Sequence, residues 1–174
     1  GFKPTKRTWG AEVFPGSSLP NAMVQVSPVT KFHSGAGYQY EDSVIYGFTH
    51  TNKGHWNLCH IPLLPVTGTP TPGDYCSPFS HERESAAPGY YQVFLDRYGV
   101  DAQLSSTLRC AFHKYTYPAG AAASLLADLQ RSNEHVRAWD IRKEGDNVFA
   151  GWQQTGEKMY FYAVANRPVT GIEP

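Results

Sequence analysis

The segment Tyr91-Gln92-Val93-Phe94-Leu95-Asp96-Arg97-Tyr98-Gly99-Val100-Asp101-Ala102-Gln103-Leu104 decides the fold. Apolar and polar side chains alternate on both sides of a turn that contains a glycine. Successive side chains of a strand point to opposite faces, so this alternation is typical of two strands that each bury one face. The segment therefore predicts a β-hairpin with its turn at residues 96–99.

Short segments of strand character extend in both directions from this hairpin, separated by turn residues. The further predicted strands lie at residues 23–27, 43–50, 59–66, 108–117, 123–129, 136–142, 148–153 and 159–165. Pro62 and Pro65 indicate an edge position for the strand at 59–66, because proline cannot donate a ladder hydrogen bond. Many short strands at such regular spacing favour an all-β sandwich or barrel with minor helix at most.

The segment 120–131 is compatible with two kinds of secondary structure. Three consecutive alanines and the spacing of Leu125, Leu126 and Leu129 suit a helix about as well as a strand. Strand is the preferred prediction for this segment.

Composition limits the possible functions. The 174 residues suffice for one domain, or for part of a larger protein. Lys plus Arg and Asp plus Glu are both 15, and no run of like charges occurs, so an electrostatic nucleic-acid surface is excluded. No apolar run approaches the roughly 18 residues of a transmembrane helix. The three cysteines allow at most one disulfide and form no paired zinc motif.

Two groups of histidines suggest catalytic or metal chemistry. His50, His55 and His60 recur every five residues beside Cys59, but that spacing places them on different faces of a strand or helix, so only an irregular loop could bring them together on a metal. The sequence Ser80-His81-Glu82 contains the letters of a catalytic triad, although adjacent residues of a strand diverge. A structural role is the preferred interpretation of both groups.

No acidic residue is marked by its context as half of a catalytic carboxylate pair. Asp42, beside Tyr38 and Tyr40, is the best placed of the fifteen. Its simpler explanation is an Asx turn before the strand that starts at Ser43. We therefore predict no catalytic residue in this chain.

The segment 49–57 has the chemistry of a sugar-binding loop. It follows an apolar strand and offers Trp56, His50, His55 and Asn57 around a glycine. An indole face suits the apolar face of a pyranose, and imidazoles and amides suit its hydroxyls. The alternative is a buried structural tryptophan, and the same two possibilities apply to the loop at residues 9–18.

Several longer motifs resemble one known family. They are Phe14-Pro15-Gly16, residues 21–28, residues 37–51, Phe79-Ser80-His81-Glu82, Ala87-Pro88-Gly89-Tyr90-Tyr91, Tyr98-Gly99, Arg109, and Phe112-His113-Lys114-Tyr115-Thr116-Tyr117-Pro118. In this order and spacing they resemble the amino-terminal domain of glycoside hydrolase family 92, the calcium-dependent α-mannosidases. The resemblance covers residues 9–168, almost the whole chain.

The resemblance implies a β-sandwich of the supersandwich kind, formed by residues 1–174 as a single domain. It implies a parent enzyme that removes α-linked mannose from the ends of glycans with inversion. The general acid, the general base and most calcium ligands are then supplied by a following (α/α)₆ domain that this chain lacks. We accordingly expect the isolated segment to be inactive and to need no calcium for folding, and we expect no metal ligand in it.

The resemblance also implies partners, a location and a set of contact residues. The expected partners are α-mannoside glycans and the helical catalytic domain, in an extracytoplasmic setting, either periplasmic or secreted. The predicted substrate-binding residues are Phe14, Gly16, His50, His55, Trp56 and Asn57. A freestanding carbohydrate-binding module is the alternative function.

The chain departs from the family pattern in loops expected to face the sugar. Val29 stands where many members have aspartate in Ser-Pro-Asp-Thr, and Asn52-Lys53-Gly54-His55 replaces the His-Leu-Ser-Gly of many members. The Gly-Thr-Gly-Gly-His-Gly sequence that usually precedes the Phe-Pro-Gly motif is also missing.

Overall fold

The computed structural model describes residues 14–53 and 56–173, which form short β-strands. The strands are β1 (Ser27–Val29), β2 (Val44–Ile45), β3 (Gly47–Thr49), β4 (Asn52–Lys53), β5 (Trp56–Asn57), β6 (Leu63–Thr67), β7 (Ser77–Pro78), β8 (Glu84–Ala87), β9 (Tyr90–Leu95), β10 (Val100–Ser106), β11 (Ala111–Thr116), β12 (Ala123–Ala127), β13 (Ala138–Gly145), β14 (Val148–Gln154) and β15 (Lys158–Val164). The helical structure in the described ranges is a single 3₁₀ turn at His81–Arg83.

The strands form three larger antiparallel sheets. The central sheet has the order β1-β3-β6-β12, the hairpin sheet the order β11-β10-β9-β8, and the outer sheet the order β13-β14-β15. Two small pairs, β2-β7 and β4-β5, complete the pairing. The all-β sandwich prediction is confirmed.

The main core lies between the central sheet and the hairpin sheet. Phe48 and Leu64 of the central sheet pack in one cluster with Tyr91, Val93 and Leu104 of the hairpin sheet, and all five side chains are buried. In the hairpin, buried and half-buried residues alternate along both strands. The predicted hairpin is confirmed, with Gly99 in its turn at a φ of 64°, a left-handed conformation that favours glycine.

A second core lies between the central sheet and the outer sheet. Leu63 of β6 clusters there with Ile61 and Leu129, and Trp139 and Phe161 of the outer sheet pack against them. Leu63 and Leu64 point to opposite faces of β6, so this strand is buried on both sides. The sheets therefore form three layers with the central sheet in the middle.

The predicted edge position of the strand at 59–66 is wrong. β6 lies between β3 and β12 in the central sheet. The ladder between β3 and β6 is confined to Phe48 and Leu63, so Pro65 lies beyond the part of the strand paired to β3. Burial on both faces explains the continuous apolar run that the sequence shows here.

Other elements agree with the sequence except at their ends. Residues 123–127 form strand β12, which confirms strand over helix for this segment. The first predicted strand is displaced from 23–27 to Ser27–Val29, and the second is divided at Tyr46 into β2 and β3. The described residues contain no helix long and apolar enough to cross a membrane.

The three cysteines are free thiols with graded exposure. Cys59 is buried, Cys76 is half-buried and Cys110 is exposed. Burial raises the pKa of the Cys59 thiol to about 12, because a thiolate loses its hydration there. The disulfide that the composition allowed does not form.

Candidate functional site

The Trp56 hairpin, formed by β4 and β5, rises from the loop that connects β3 to β6. Lys53 pairs with Trp56, and Asn52 pairs with Asn57. Adjacent pairs of a hairpin point to opposite sides, so the side chains of Trp56 and Asn57 lie on opposite sides. Trp56 keeps 44% of its surface exposed, whereas Asn57 is buried at 1%. His55 of the predicted site lies outside the described residues. The hairpin thus has one aromatic outer side and one polar inner side.

Asn57 anchors this hairpin to the body of the domain. Its side-chain nitrogen donates to the Thr49 hydroxyl at 3.0 Å, and its side-chain oxygen accepts from the Cys59 backbone nitrogen at 2.8 Å. Its backbone nitrogen donates to the Gly35 carbonyl at 2.9 Å. Since the amide is engaged inside the domain, the predicted contact of Asn57 with a sugar stays a prediction, and the structure assigns this residue a supporting position.

A second anchor comes from the segment before the outer sheet. The Asn133 side chain donates to the Asn57 carbonyl and accepts from the His33 backbone nitrogen, both at 2.6 Å. The Asn133 backbone nitrogen donates to the Leu58 carbonyl at 3.0 Å. One asparagine therefore joins the hairpin to the loop at residues 33–35. Sequence reasoning missed it, because nothing in the residues around Asn133 indicates contact with residues 76 and 100 positions away.

His60 ties the same loop to the outer sheet. Its ring is 2% exposed and contacts the Thr51 hydroxyl through Nδ1 at 2.9 Å. Its Nε2 lies 3.2 Å from a Glu134 carboxylate oxygen and 3.1 Å from the Thr155 hydroxyl. Burial lowers the pKa of His60, and hydrogen bonds from Thr155 and His60 lower the pKa of Glu134.

Hydroxyl, imidazole and carboxylate occur here in the order of a catalytic triad. In a triad, however, the imidazole must pass its proton to a bound substrate. The His60 ring is buried among protein groups, and both of its nitrogens are engaged. The arrangement acts as a tether of the loop.

His50 lies at the start of the loop that carries the Trp56 hairpin, directly after β3. Its Nδ1 is 3.0 Å from the Ile61 carbonyl oxygen at the other end of the loop. Its Nε2 is 2.9 Å from Nε2 of His113 in the hairpin sheet. Burial lowers the pKa of His50 to about 4. The ring holds the two ends of the loop together, and its predicted contact with sugar stays a prediction.

The structure does not bring His50 and His60 together. Each ring has its own set of partners, and no cluster of three His, Cys, Asp or Glu side chains that could hold a metal occurs in residues 14–53 and 56–173. Calcium requires about six to eight oxygen ligands. The carboxylates of Asp42 and Glu84 are bound to hydroxyl groups of Thr30 and of two tyrosines. These two carboxylates are therefore already engaged within the domain, and the absence of calcium ligands from this segment stays a prediction.

The segment that begins with the Phe-Pro-Gly loop runs beside His50, at the start of the loop that carries the Trp56 hairpin. Ser17 pairs with Val26, and the backbone nitrogen of Gln25 donates to the His50 carbonyl at 3.1 Å. Phe14 is half-buried. Gly16 is required by packing, since a Cβ there would lie 1.9 Å from the Val26 carbonyl oxygen. Phe14 and Gly16 thus begin a segment that runs next to the loop of the Trp56 hairpin.

The letters Ser80-His81-Glu82 form no triad. The Ser80 hydroxyl accepts from the Glu82 backbone nitrogen and caps the 3₁₀ turn. The carboxylate that meets the His81 ring belongs to Glu84, at 2.5 Å from Nδ1, and Nε2 lies 2.6 Å from the Tyr40 carbonyl oxygen. The 3₁₀ turn turns the chain, so the partner is the third residue after His81 and not the first.

Glu84 is the centre of a buried polar cluster that the sequence did not reveal. Its carboxylate accepts hydrogen bonds from the hydroxyls of Tyr38, at 3.0 Å, and Tyr91, at 2.7 Å. Burial, together with the negative charge of Glu84, raises the pKa of both phenols. The Asp42 carboxylate accepts a hydrogen bond from the Thr30 hydroxyl at 2.8 Å. The Asx-turn interpretation predicts instead a hydrogen bond from the strand that follows Asp42.

Comparison with known proteins identifies the family. Residues 5–173 match the model of the glycosyl hydrolase family 92 N-terminal domain. The family GH92 α-mannosidase BT3965 from Bacteroides thetaiotaomicron is similar in structure, with a TM-score of 0.85 and 28% identity over 92% of this chain and 24% of that one. The glycosyl hydrolase ccman5 of the same family has a TM-score of 0.69 and 28% identity, over 86% of this chain and 23% of that one.

The inverting mannosidase BT2199 from Bacteroides thetaiotaomicron shares the fold at 22% identity, with a TM-score of 0.75 over 92% of this chain and 23% of that one. Comparison with curated proteins gives no match. The chain spans about a quarter of the length of these structural relatives. Its three-layer β-fold and the match over residues 5–173 lead to one conclusion: the chain belongs to the glycoside hydrolase family 92 N-terminal domain family.

Proposed function

We propose that this domain is the amino-terminal part of an α-mannosidase and that it contributes the Trp56 hairpin to the substrate site. The parent enzyme removes terminal α-linked mannose with inversion and requires calcium. Its catalytic acid, its base and its calcium ligands lie in a helical domain outside this segment. Family membership supports the class of parent enzyme.

One observation carries the role of the hairpin: Trp56 is 44% exposed next to Asn57, which is buried and hydrogen-bonded inside the domain. Asn57, His60 and Asn133 fix the hairpin from its inner side through the contacts described above. A rigidly held aromatic ring can stack on a sugar with little loss of conformational entropy. Such an arrangement suits a binding surface better than a core position.

The six predicted contact residues divide into two roles under this proposal. Trp56 stacks on the sugar, Phe14 and Gly16 belong to the adjoining surface, and the proposed contact of His55 rests on the sequence alone. His50 and Asn57 support that surface from below, since their polar atoms have partners inside the domain.

The proposal includes the behaviour of the isolated segment. Alone it hydrolyses no aryl mannoside above background, because the acid and base of an inverting glycosidase are both needed and lie elsewhere. It folds without calcium. The parent acts on glycans outside the cytoplasm, in the periplasm or after secretion.

The test is substitution of Trp56 in the complete parent enzyme. Trp56→Ala is expected to lower kcat/KM on an α-mannoside by about tenfold or more, because binding energy away from the reacting bond contributes to transition-state stabilisation. Tyr160→Ala is the matched control, since this tyrosine is 71% exposed on the outer sheet. Unchanged turnover with a Tm lowered by several degrees would assign Trp56 a structural role.

A freestanding carbohydrate-binding module is the second candidate, and the outer face of the hairpin sheet favours it. Phe112 is 59% exposed there, in a shallow depression that Tyr90, Gln103, Ser105 and Lys114 also line. Aromatic and amide groups of this kind suit a sugar ring. On this reading the isolated chain binds the sugar through Phe112.

An NMR titration of the 174-residue chain with methyl α-mannoside separates the two candidates. Stacking of one ring contributes about 1 to 2 kcal/mol, so either surface alone binds in the millimolar range or more weakly. Shifts that Trp56→Ala removes support the first candidate. Shifts that only Phe112→Ala removes support the second.

A further inference from the structure

The two sheets of the main core are joined by a line of polar groups. Tyr115 and His113 lie on β11, His50 follows β3, and Ile61 ends the loop that carries the Trp56 hairpin. The contacts are Tyr115 Oη to His113 Nδ1 at 2.6 Å, His113 Nε2 to His50 Nε2 at 2.9 Å, and His50 Nδ1 to the Ile61 carbonyl oxygen at 3.0 Å. The ring of Phe48 packs against both His113 and Tyr115.

The position of every proton in this line follows from its last acceptor. A carbonyl oxygen only accepts, so His50 carries its proton on Nδ1. A neutral His50 then has a lone pair on Nε2, and His113 must donate to it from its own Nε2. His113 Nδ1 is consequently an acceptor, and Tyr115 donates its hydroxyl proton to it.

We infer that Tyr115, His113 and His50 form a one-directional hydrogen-bond chain that positions the Trp56 loop and accepts no more than one added proton without breaking. The first added proton enters at His113 Nδ1, where the Tyr115 oxygen can turn from donor to acceptor, and the proton between the two rings can then move to His50 Nε2, so that His50 carries the charge. A second added proton would leave an N–H on both Nε2 atoms, which face each other at 2.9 Å. Two donors at that distance repel, so the contact between the sheets opens.

The surroundings keep both rings neutral at pH 7. Burial lowers the pKa of His50 to about 4, and burial with the nearby charge of His50 lowers the pKa of His113 well below its usual range. From the loop, backbone groups of His60 and Ile61 face His50. From β11, Tyr115 faces His113, and Tyr117 raises the pKa of Tyr115 further. Within the described part of the chain, no carboxylate acts on either ring to offset the charge of an added proton.

The direction of the pH effect follows from proton uptake. The unfolded chain protonates these histidines near pH 6.5, whereas folded His50 does so near pH 4. Below pH 6.5 the unfolded state therefore binds more protons, and stability falls as the pH is lowered from 6.5 to 4. Above pH 6.5 the chain is intact and contributes no pH dependence.

NMR of the histidine rings in the 174-residue chain tests the proton positions directly. Two-bond nitrogen–proton correlations at pH 7 are expected to show the Nδ1–H tautomer for His50 and the Nε2–H tautomer for His113. The reversed pattern, or a protonated ring at either site, would overturn the inference. This measurement needs no substitution, so it decides even if the variants below fail to fold.

Conservative substitution tests the link to acid. His113→Gln keeps a side-chain N–H near the position of Nε2 and removes the titration. Proton uptake on unfolding between pH 6.5 and 4 is expected to decrease by about one in this variant, with stability at pH 7 retained better than in His113→Leu. The same pH dependence in His113→Gln and in the original chain would contradict the proposed role.

The positioning role has its own measurement. The ¹⁹F resonance of fluorotryptophan at position 56, assigned with Trp56→Phe, is expected to shift between pH 6.5 and 4 in the original chain and to stay constant in His113→Gln. A resonance that does not change with pH in either protein would show that the hydrogen-bond chain does not position the loop. This measurement involves no sugar, so its outcome does not depend on whether the proposed mannosidase role is correct. Only the functional importance of Trp56 rests on that proposed role.

Discussion

Gly16 shows how a single residue can be fixed by backbone contact alone. A Cβ at this position would lie 1.9 Å from the Val26 carbonyl oxygen, a backbone atom that cannot rotate away. We expect Gly16→Ala to lower the free energy of unfolding by about 3 kcal/mol, at the upper end of overpacking effects. Chemical denaturation measures the loss.

Gly156 provides the control for this prediction. A Cβ there meets no atom within 4 Å. Gly156→Ala should leave stability within about 0.5 kcal/mol of the original chain, as surface substitutions usually do. Equal effects of the two substitutions would refute the close approach at Gly16.

Glu84 is the second residue whose chemistry makes a sharp prediction. Two tyrosine hydroxyls and the His81 ring meet its carboxylate, whose side chain is only 8% exposed. Glu84→Gln keeps the shape but removes the charge and one acceptor atom. A loss of about 1 to 3 kcal/mol is expected, the range for a buried polar group left without its partner.

Glu82→Gln is the matched variant, because Glu82 is exposed in the adjacent 3₁₀ turn. Urea unfolding should place this variant within about 0.5 kcal/mol of the original chain. If Glu82→Gln were the more damaging change, the triad-like reading of Ser80-His81-Glu82 would regain support.

At the scale of elements, β6 contributes to both cores and is the strand on which the layers depend. Leu64 is 1% exposed in the main core. We expect Leu64→Ala to lower the free energy of unfolding by about 3 kcal/mol or more, the usual effect of an internal cavity. Leu125, in neighbouring β12, is 36% exposed, and Leu125→Ala should change stability by about 1 kcal/mol or less. Urea midpoints at constant m-value would measure both, and similar losses would contradict the inward position of Leu64.

The elements also show which structural features a sequence can reveal. Alternation in residues 91–104 reports burial on one face, so the hairpin was predictable from local pattern. β6 is buried on both faces and therefore shows no alternation, and its prolines suggested an edge that the sheet order excludes. The pattern of a strand records its own burial but not the strands beside it.

The site was harder to predict than the fold, for a related reason. Trp56 is a candidate because of its polar neighbours in the sequence, and its contact with sugar stays a prediction. The partner of His50 is His113, sixty-three residues further along the chain, and the partner of Asn57 is Asn133, seventy-six residues further. Contacts between residues so far apart in the sequence depend on how the sheets stack, and the local sequence does not determine that stacking. Only the family resemblance provided information at that distance.

At the scale of the whole molecule, the shared central sheet predicts one cooperative transition. Loss of either core exposes a face of β6, so neither core is expected to persist without the other. Far-ultraviolet circular dichroism and tryptophan fluorescence should give coincident unfolding curves. Separate midpoints for the two signals would show that the outer sheet unfolds on its own.

The three thiols differ in burial, so their rates of chemical modification report how often the core opens transiently. Cys110 is exposed and should react with a thiol reagent at nearly the rate of a free cysteine, whereas Cys59 is inaccessible until the core around it opens. In native buffer, Cys59 is therefore expected to be modified at least about a thousandfold more slowly than Cys110, in proportion to the population of the opened state. Mass spectrometry of timed samples would give that population without denaturant, and substituting Leu64→Ala should accelerate the modification of Cys59 while leaving that of Cys110 unchanged.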